Sequence, residues 1–223
     1  MLTVDRPRVG AFRRRLLAWY ARHGRDLPWR HTRDPYRVLV SEIMLQQTQV
    51  DRVVPKYHEF LTRYPTVESL AAAEVSEVRK VWYPLGYNIR PVRLHQIARE
   101  TVARYGGQLP DDDESLRALP GIGRYTAGAI LSFAHGRDAA VLDTNVRRVI
   151  GRVFLGPRRT RRLRGEKIYW DLALALVPRG RGYDFNQALM DFGATWCTAG
   201  RPRCVPCPMK SLCASYPAGV RRL

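Results

Sequence analysis

The chain has 223 residues, 45% of them hydrophobic, enough to bury a substantial core in one large or two small closely packed domains. Its 38 Lys and Arg against 20 Asp and Glu give a net charge of +18, a surplus that repels itself unless a polyanion neutralises it. Nucleic acid is the first partner this suggests, and a membrane surface or a ribosome would also satisfy the charge. The longest run of small apolar residues, Ala127 to Ala134, is far short of the roughly 20 residues a bilayer span needs, so a transmembrane segment is excluded and a soluble, cytoplasmic, nucleoid-associated protein is expected. No internal repeat or low-complexity segment is present.

From Pro7 to His23, Phe12, Leu16, Leu17 and Tyr20 fall at helical spacing, with Arg13, Arg14, Arg15 and Arg22 elsewhere. This is a basic helix whose charge either contacts a polyanion or is simply solvated. Leu27-Pro-Trp-Arg30 then breaks the chain, and Asp34-Pro35 makes a cap and first turn for a helix from Pro35 to about Val50. That helix carries Ser41-Glu-Ile-Met-Leu-Gln-Gln-Thr-Gln49. Glu42 shares a face with Val38 and Leu45 and has no Lys or Arg three or four residues away. It is either a surface residue at the edge of the apolar stripe or a partly desolvated carboxyl, in which the protonated form is favoured and general acid work becomes possible.

The middle of the chain reads as scaffold: a helical segment over 68–82, then a helix over 90–105 with Leu94, Ile97, Ala98 and Val102 at core spacing before a Gly106-Gly107 stop. Between them, Leu85-Gly-Tyr-Asn-Ile-Arg90 is a loop holding Tyr87 beside Arg90 and Arg93. Its composition suits stacking on unpaired bases, and a core aromatic at a helix end would look the same. Next comes Leu119-Pro-Gly-Ile-Gly-Arg-Tyr-Thr-Ala127. Gly121 and Gly123 allow a tight turn that leaves bare amides where a helix begins at about Arg124, a phosphate-binding arrangement, although Pro-Gly before an apolar run also simply joins two helices. Twenty residues beyond Gly123, Asp143 opens a helix running to about Leu155, and Asp143 and Asn145 have the character of N-cap residues.

All four cysteines lie in Cys197-x6-Cys204-x2-Cys207-x5-Cys213. An intracellular chain that spends every Cys in one short loop binds a metal or cluster, since disulfides would not persist there. Four thiolates suit zinc or an iron-sulfur cluster equally on charge, but the paired Cys-x2-Cys units of a zinc ribbon are absent. Arg201, Arg203 and Lys210 would add phosphate contacts.

Taken together, Ser-Glu-x-Met-Leu-Gln-Gln-Thr-Gln, Leu-Gly-Tyr, Leu-Pro-Gly-Ile-Gly, Asp-x-Asn and the six, two, five cysteine spacing resemble the helix-hairpin-helix DNA glycosylases of the endonuclease III superfamily, and among them the MutY-type adenine glycosylases. The resemblance spans residues 27 to 213. It implies an all-α, two-lobed fold with a C-terminal [4Fe-4S] cluster loop: a helical barrel lobe with the hairpin over 27–134, and a cluster lobe from 1–26 plus 135–223. DNA would lie in the groove between them, with Glu42 and Asp143 facing a flipped nucleotide from opposite lobes.

In the family, the residue matching Glu42 protonates the adenine. Asp143 would supply the carboxylate that an oxocarbenium-like transition state needs, with Asn145 orienting it. Tyr125 stands where bifunctional members have the Lys that forms a Schiff base, which implies hydrolysis by water without strand cleavage. Gln47 matches the wedge into the duplex and Tyr87 the ring inserted beside the opposing base, although Asn88 follows where many relatives have a second Tyr. Gly121, Gly123, Arg30 and Gln187 complete the expected DNA contacts, and Cys197, Cys204, Cys207 and Cys213 the cluster ligands.

The expected partner is double-stranded DNA with a mismatch or damaged base, and the expected state a monomer. MutY enzymes usually carry a C-terminal domain that recognises 8-oxoguanine; here the sequence reaches Leu223 soon after the last cysteine, so a chain without that domain is expected. Trp29-Arg-His-Thr-Arg-Asp-Pro-Tyr36 and Tyr125 also resemble thymine mismatch glycosylases, which remove thymine or uracil opposite guanine. The reaction expected is removal of adenine opposite guanine or 8-oxoguanine, since adenine is the base that leaves poorly until an acid such as Glu42 protonates it. A non-catalytic iron-sulfur DNA-binding module would explain charge, hairpin and cysteines but leave the pair Glu42 and Asp143 without a purpose.

Overall fold

Apolar residues three and four apart recur along most of the chain, and the computed structural model, which describes residues 5–163 and 165–216, turns them into helices with no strand among the described residues. In order these are α1 (Arg6–His23), a 3-10 turn (Pro28–Arg30), α2 (Pro35–Leu45), α3 (Val50–Arg63), α4 (Val67–Ala71), α5 (Val75–Trp82), α6 (Ile89–Tyr105), α7 (Asp113–Ala118) and α8 (Arg124–Phe133). Then follow α9 (Thr144–Ile150), a π turn (Gly151–Leu155), α10 (Gly156–Arg162), α11 (Lys167–Leu176), α12 (Gly182–Asp191), a second π turn (Phe192–Trp196) and a 3-10 turn (Lys210–Leu212). The expected cluster lobe includes residues 1–4, 164 and 217–223, which lie outside the described residues. Among the described residues no helix is long and apolar enough to cross a membrane.

The helices form two compact units. One is Asp26–His135 and the other combines the described residues up to Arg25 with those from Gly136 onward. In Asp26–His135, α8 is buried continuously from Thr126 to Phe133 and packs on α2 and α7. Helix α2 also packs on α3 and α6, and α6 packs on α4 and α5. Phe60 and Trp82, both fully buried, meet edge to face at 6.0 Å.

Local chemistry sets the boundaries. Asp34 Oδ1 accepts from Tyr36 N–H at 2.8 Å to start α2, and Thr66 and Ser69 form a reciprocal capping box on α4. Gly106, left-handed at φ 60, ends α6. Two boundaries and one packed face differ from what the sequence suggests. Helix α2 stops at Leu45 rather than Val50 because Gln46 leaves the helical region at ψ 111 and Gln47 then adopts φ 56, which no helix continues through. The segment 68–82 is two helices. On α6, Val102 is 37% exposed while Thr101 is fully buried, so the packed stripe turns one residue earlier than hydropathy suggests.

In the other unit α1 packs on α12, burying Val9, Phe12, Leu16 and Trp19. Phe12 lies edge-on to Phe154 at 5.1 Å and to Phe185 at 6.3 Å, and Trp19 edge-on to Phe192 at 5.0 Å. Three of the arginines of α1 are committed to structure. Arg13 donates to the carbonyls of Ala175, Leu176 and Val177 at the end of α11, and Arg8 to those of Val153 and Leu212, both at 2.7 Å. Arg15 donates to Pro208 O at 3.0 Å and Ser211 Oγ at 2.6 Å. The first helix thus buttresses the cysteine loop with guanidinium groups that a charge count assigns to a polyanion.

Candidate active site and cysteine loop

In Asp26–His135, α2 buries every residue from Val38 to Met44, including two polar ones, Ser41 and Glu42, at 1% and 4% exposure. Ser41 returns its hydroxyl to Val38 O at 2.8 Å. Of the two readings open for Glu42, the carboxyl is the desolvated one. Beyond the helix end the chain turns through Gln46 and Gln47, and Gln47 is exposed.

What holds this turn is Arg90, in the first turn of α6. Its Nη1 donates to the carbonyls of Ile43 at 3.2 Å, Met44 at 2.8 Å and Gln46, which are groups that the end of a helix leaves unpaired. Its Nη2 donates to Leu85 O and Gly86 O, both at 3.1 Å. Arg90 is 4% exposed, so it is an internal clamp and not the base-stacking cation the loop composition suggested. Burial lowers its pKa, opposed by Tyr87. Tyr87 itself is 57% exposed at φ 50, and Arg93 is the exposed basic neighbour.

The hairpin between α7 and α8 is anchored by Leu119 and Ile122, which are buried, while Gly121 and Gly123 are exposed. Gly121 has φ 84, and a Cβ there would stand 3.2 Å from Arg93 Cδ, so the turn requires glycine and places the Arg93 chain alongside it. Gly123 caps α8 without a side-chain hydrogen bond. Tyr125 is half-buried in the first turn of α8, and Arg30 is half-buried in the 3-10 turn before α2.

In the other unit Asp143 is the N-cap of α9: Oδ1 accepts from Val146 N–H at 2.6 Å, and Oδ2 accepts from Asn145 Nδ2 at 2.9 Å. Asn145 Oδ1 in turn accepts from Arg148 Nη2 at 2.7 Å. Arg148 continues to Gly193 O at 2.7 Å and, through Nε, to Cys197 O at 2.9 Å. Burial lowers the pKa of Arg148, and the nearby Cys197 and Asp143 oppose that. Gly193 lets α9 come this close, since a Cβ on it would lie 2.7 Å from Asn145 Cβ. A polar chain therefore runs from Asp143 through Asn145 and Arg148 to the first cysteine of the loop. Nothing in sequence spacing pointed to Arg148 or Gly193.

Arg152 extends this frame around the cysteines. It donates to Thr198 O at 2.7 Å, Ala199 O at 3.1 Å and Cys197 Sγ at 3.4 Å, while Cys213 Sγ lies 3.4 Å from Arg152 O. A tight turn joins Cys204 O to Cys207 N–H, and Cys207 Sγ accepts from Met209 N–H at 3.4 Å. The four thiols are free and half-buried. Burial pushes the Cys207 thiol up to about 11, and the charge of the other three cysteines adds to that. Burial likewise raises Cys204 and Cys213, again with help from neighbouring cysteines. A cationic centre would offset that penalty and favour the thiolates, and the donor set of four cysteines fits a thiolate-bound group in that respect. Among the described residues no three His, Cys, Asp or Glu are gathered closely enough to hold a single metal ion.

Gln187 departs from expectation. It is 4% exposed in α12, where Phe185, Ala188 and Leu189 are also buried, and so it is not the exposed side chain that a surface contact with a duplex suggests.

Residues 40–172 match the HhH-GPD superfamily of base excision DNA repair proteins, and the chain belongs to that superfamily. It is 46% identical over 225 residues to an adenine DNA glycosylase of Rattus norvegicus, across 96% of this chain and 43% of the relative, so it spans less than half of that protein's length. It is 39% identical over 220 residues to a thymine-DNA glycosylase of Aeropyrum pernix, across 97% of this chain and 99% of the relative. The solved structure of a thermostable thymine-DNA glycosylase matches with a TM-score of 0.89 at 37% identity, covering 95% of this chain and 98% of the other.

Gly121→Ala forces a side chain into the left-handed region against Arg93 and should cost about 1–2 kcal/mol of stability. The urea midpoint reads this, and an unchanged midpoint would show that the hairpin does not need its positive φ.

Proposed function

We propose that this chain is a monofunctional DNA glycosylase of base excision repair that hydrolyses the N-glycosidic bond of adenine mispaired with guanine or 8-oxoguanine in double-stranded DNA. The observation that carries the reading is Glu42, a carboxyl withdrawn from water on a helix whose end presents the exposed Gln47. Adenine is a poor leaving group as an anion, and a positioned carboxylic acid that hands it a proton removes that obstacle. As the bond breaks, the sugar gains positive charge. Asp143, its Oδ1 fixed by the Val146 amide and its Oδ2 by Asn145, keeps a preorganised negative charge for that cation. Tyr125 offers no amine to attack the sugar, so water completes the displacement and the strand stays whole. Gln47 wedges into the duplex, Tyr87 stacks beside the opposing base, the Gly121 to Gly123 turn takes a phosphodiester, and Arg30 supports the backbone.

In this reading Cys197, Cys204, Cys207 and Cys213 hold a [4Fe-4S] cluster. When bound, it would supply the cationic centre that keeps four half-buried thiols ionised and the loop folded. The gathering of all four half-buried cysteines in one loop, without the paired Cys-x2-Cys units of a zinc ribbon, supports such a group. Arg8, Arg15 and Arg152 shape the loop around it through its carbonyls.

A second reading, thymine or uracil opposite guanine, is favoured by the 39% identity to the Aeropyrum protein across nearly all of both chains. Those bases can leave as anions stabilised by hydrogen bonds, without the proton that adenine requires. Single-turnover excision on duplexes differing only in the target pair decides between them: adenine opposite guanine, adenine opposite 8-oxoguanine, thymine opposite guanine, and uracil opposite guanine. Adenine should be released, and product strands should remain intact until heated in alkali. Activity confined to thymine and uracil would replace the first reading by the second.

The cofactor assignment has its own check. Purified protein should be brown, absorb broadly near about 400 nm and contain about four iron atoms per chain, as a thiolate-bound cluster requires, and Cys204→Ser should lose the colour. Colourless protein with one zinc per chain would contradict it.

A further inference from the structure

Among the described residues two that are not glycine adopt the left-handed backbone region, Gln47 at φ 56 and Tyr87 at φ 50. Neither belongs to the residue types that enter this region readily, and such strain persists where the surroundings over-determine it. The two positions are forty residues apart in sequence and lie in different loops, yet one side chain bonds the backbone at both. Arg90 donates through Nη1 to the carbonyl of Gln46, immediately before Gln47, and through Nη2 to the carbonyl of Gly86, immediately before Tyr87. Each strained residue therefore begins at a peptide plane whose oxygen is held by the same rigid, planar group.

The remaining bonds make the clamp two-sided. Nη1 also takes Ile43 O and Met44 O from the end of α2, and Nη2 takes Leu85 O. The guanidinium carbon lies 5.3 Å from the Trp82 ring centroid and 5.2 Å from that of Tyr87. Trp82 closes the set by donating Nε1–H to Gly86 O at 3.1 Å. Arg90 is buried and its guanidinium is occupied by the protein's own carbonyls, whereas Gln47 and Tyr87 are exposed. A clamp this heavily bonded, spanning two loops and leaving one strained, exposed side chain on each, does more than end a helix.

We propose that Arg90 is a positioning residue for base extrusion: it sets Gln47 and Tyr87 in one fixed relation so that wedge and stacking ring enter the duplex as a unit. This rests on the glycosylase reading given above. Lysine does not substitute, because a single ammonium lacks the fork that serves two groups of carbonyls and does not stack on the two rings.

The test uses a mismatched duplex with 2-aminopurine next to the target adenine. Stopped-flow fluorescence follows unstacking in a Glu42→Gln background, so that no base is lost during the measurement. Arg90→Lys should keep the helical circular dichroism and bind a matched duplex as before, yet unstack the probe slower by on the order of 10- to 100-fold, since small misplacements of positioning groups are this costly. A fluorescence rise at the unsubstituted rate would overturn the proposal.

If Arg90→Lys does not fold, Gln47→Ala, Tyr87→Ala and their double variant decide, because both side chains are exposed. A pair held as one unit predicts that the double variant is no slower than the slower single, whereas losses that multiply would show two independent contacts and end the proposal. Failure of the glycosylase reading looks different: the protein with Arg90 intact would give no fluorescence rise on any mismatched duplex, which removes extrusion itself and the proposal with it.

Discussion

A guanidinium that satisfies several backbone carbonyls at once is the interaction on which this fold most depends. Helices that stop abruptly leave carbonyls unpaired, and leaving such groups buried without a partner costs about 1–3 kcal/mol each. Here arginine takes them. Arg13 closes α11, Arg90 closes α2, and Arg8, Arg148 and Arg152 tie the segments around the cysteines. Arginine suits this because its donors form a fixed fork and its charge is never given up. A net charge of +18 is therefore an overestimate of what is free to meet a polyanion, since several of the 38 basic residues are committed to the fold.

The same economy appears at the candidate catalytic carboxylates. Asp143 caps α9, and the cap is what holds its carboxylate in one orientation, so the structural and chemical readings of that residue are a single reading. Asn145 is fixed to it, and Arg148 connects both to the backbone of Cys197. The order of the cysteine loop and the aim of Asp143 are thus settled by one run of hydrogen bonds. Glu42 is prepared differently, by burial on a helix whose neighbouring positions are apolar.

Much of this was legible in the sequence. The helical class followed from spacing, the start of α2 from Asp34-Pro35, the end of α6 from Gly106, and the hairpin from Leu119-Pro-Gly-Ile-Gly, because each rests on local chemistry that a few residues carry alone. What escaped depends on partners distant in the chain. Arg90 looked like a surface cation because three of its five carbonyl acceptors lie forty-odd residues earlier, and Gln187 looked like a duplex contact because no local pattern shows that its face of α12 turns inward. The early end of α2 was hidden because Gln47 adopts a left-handed backbone that its residue type does not announce. Gly193 reads as an ordinary glycine until Asn145 is found against it.

The account turns on the buried carboxyl of α2, and the most direct measurement is the single-turnover excision rate of Glu42→Gln on a duplex with adenine opposite guanine, with affinity measured alongside. The amide keeps the shape and loses the proton, so binding should be preserved while excision falls by roughly 10²- to 10⁴-fold, the usual contribution of a positioned acid. Excision at close to the unsubstituted rate would show that the proton comes from elsewhere and that Glu42 is buried for packing alone.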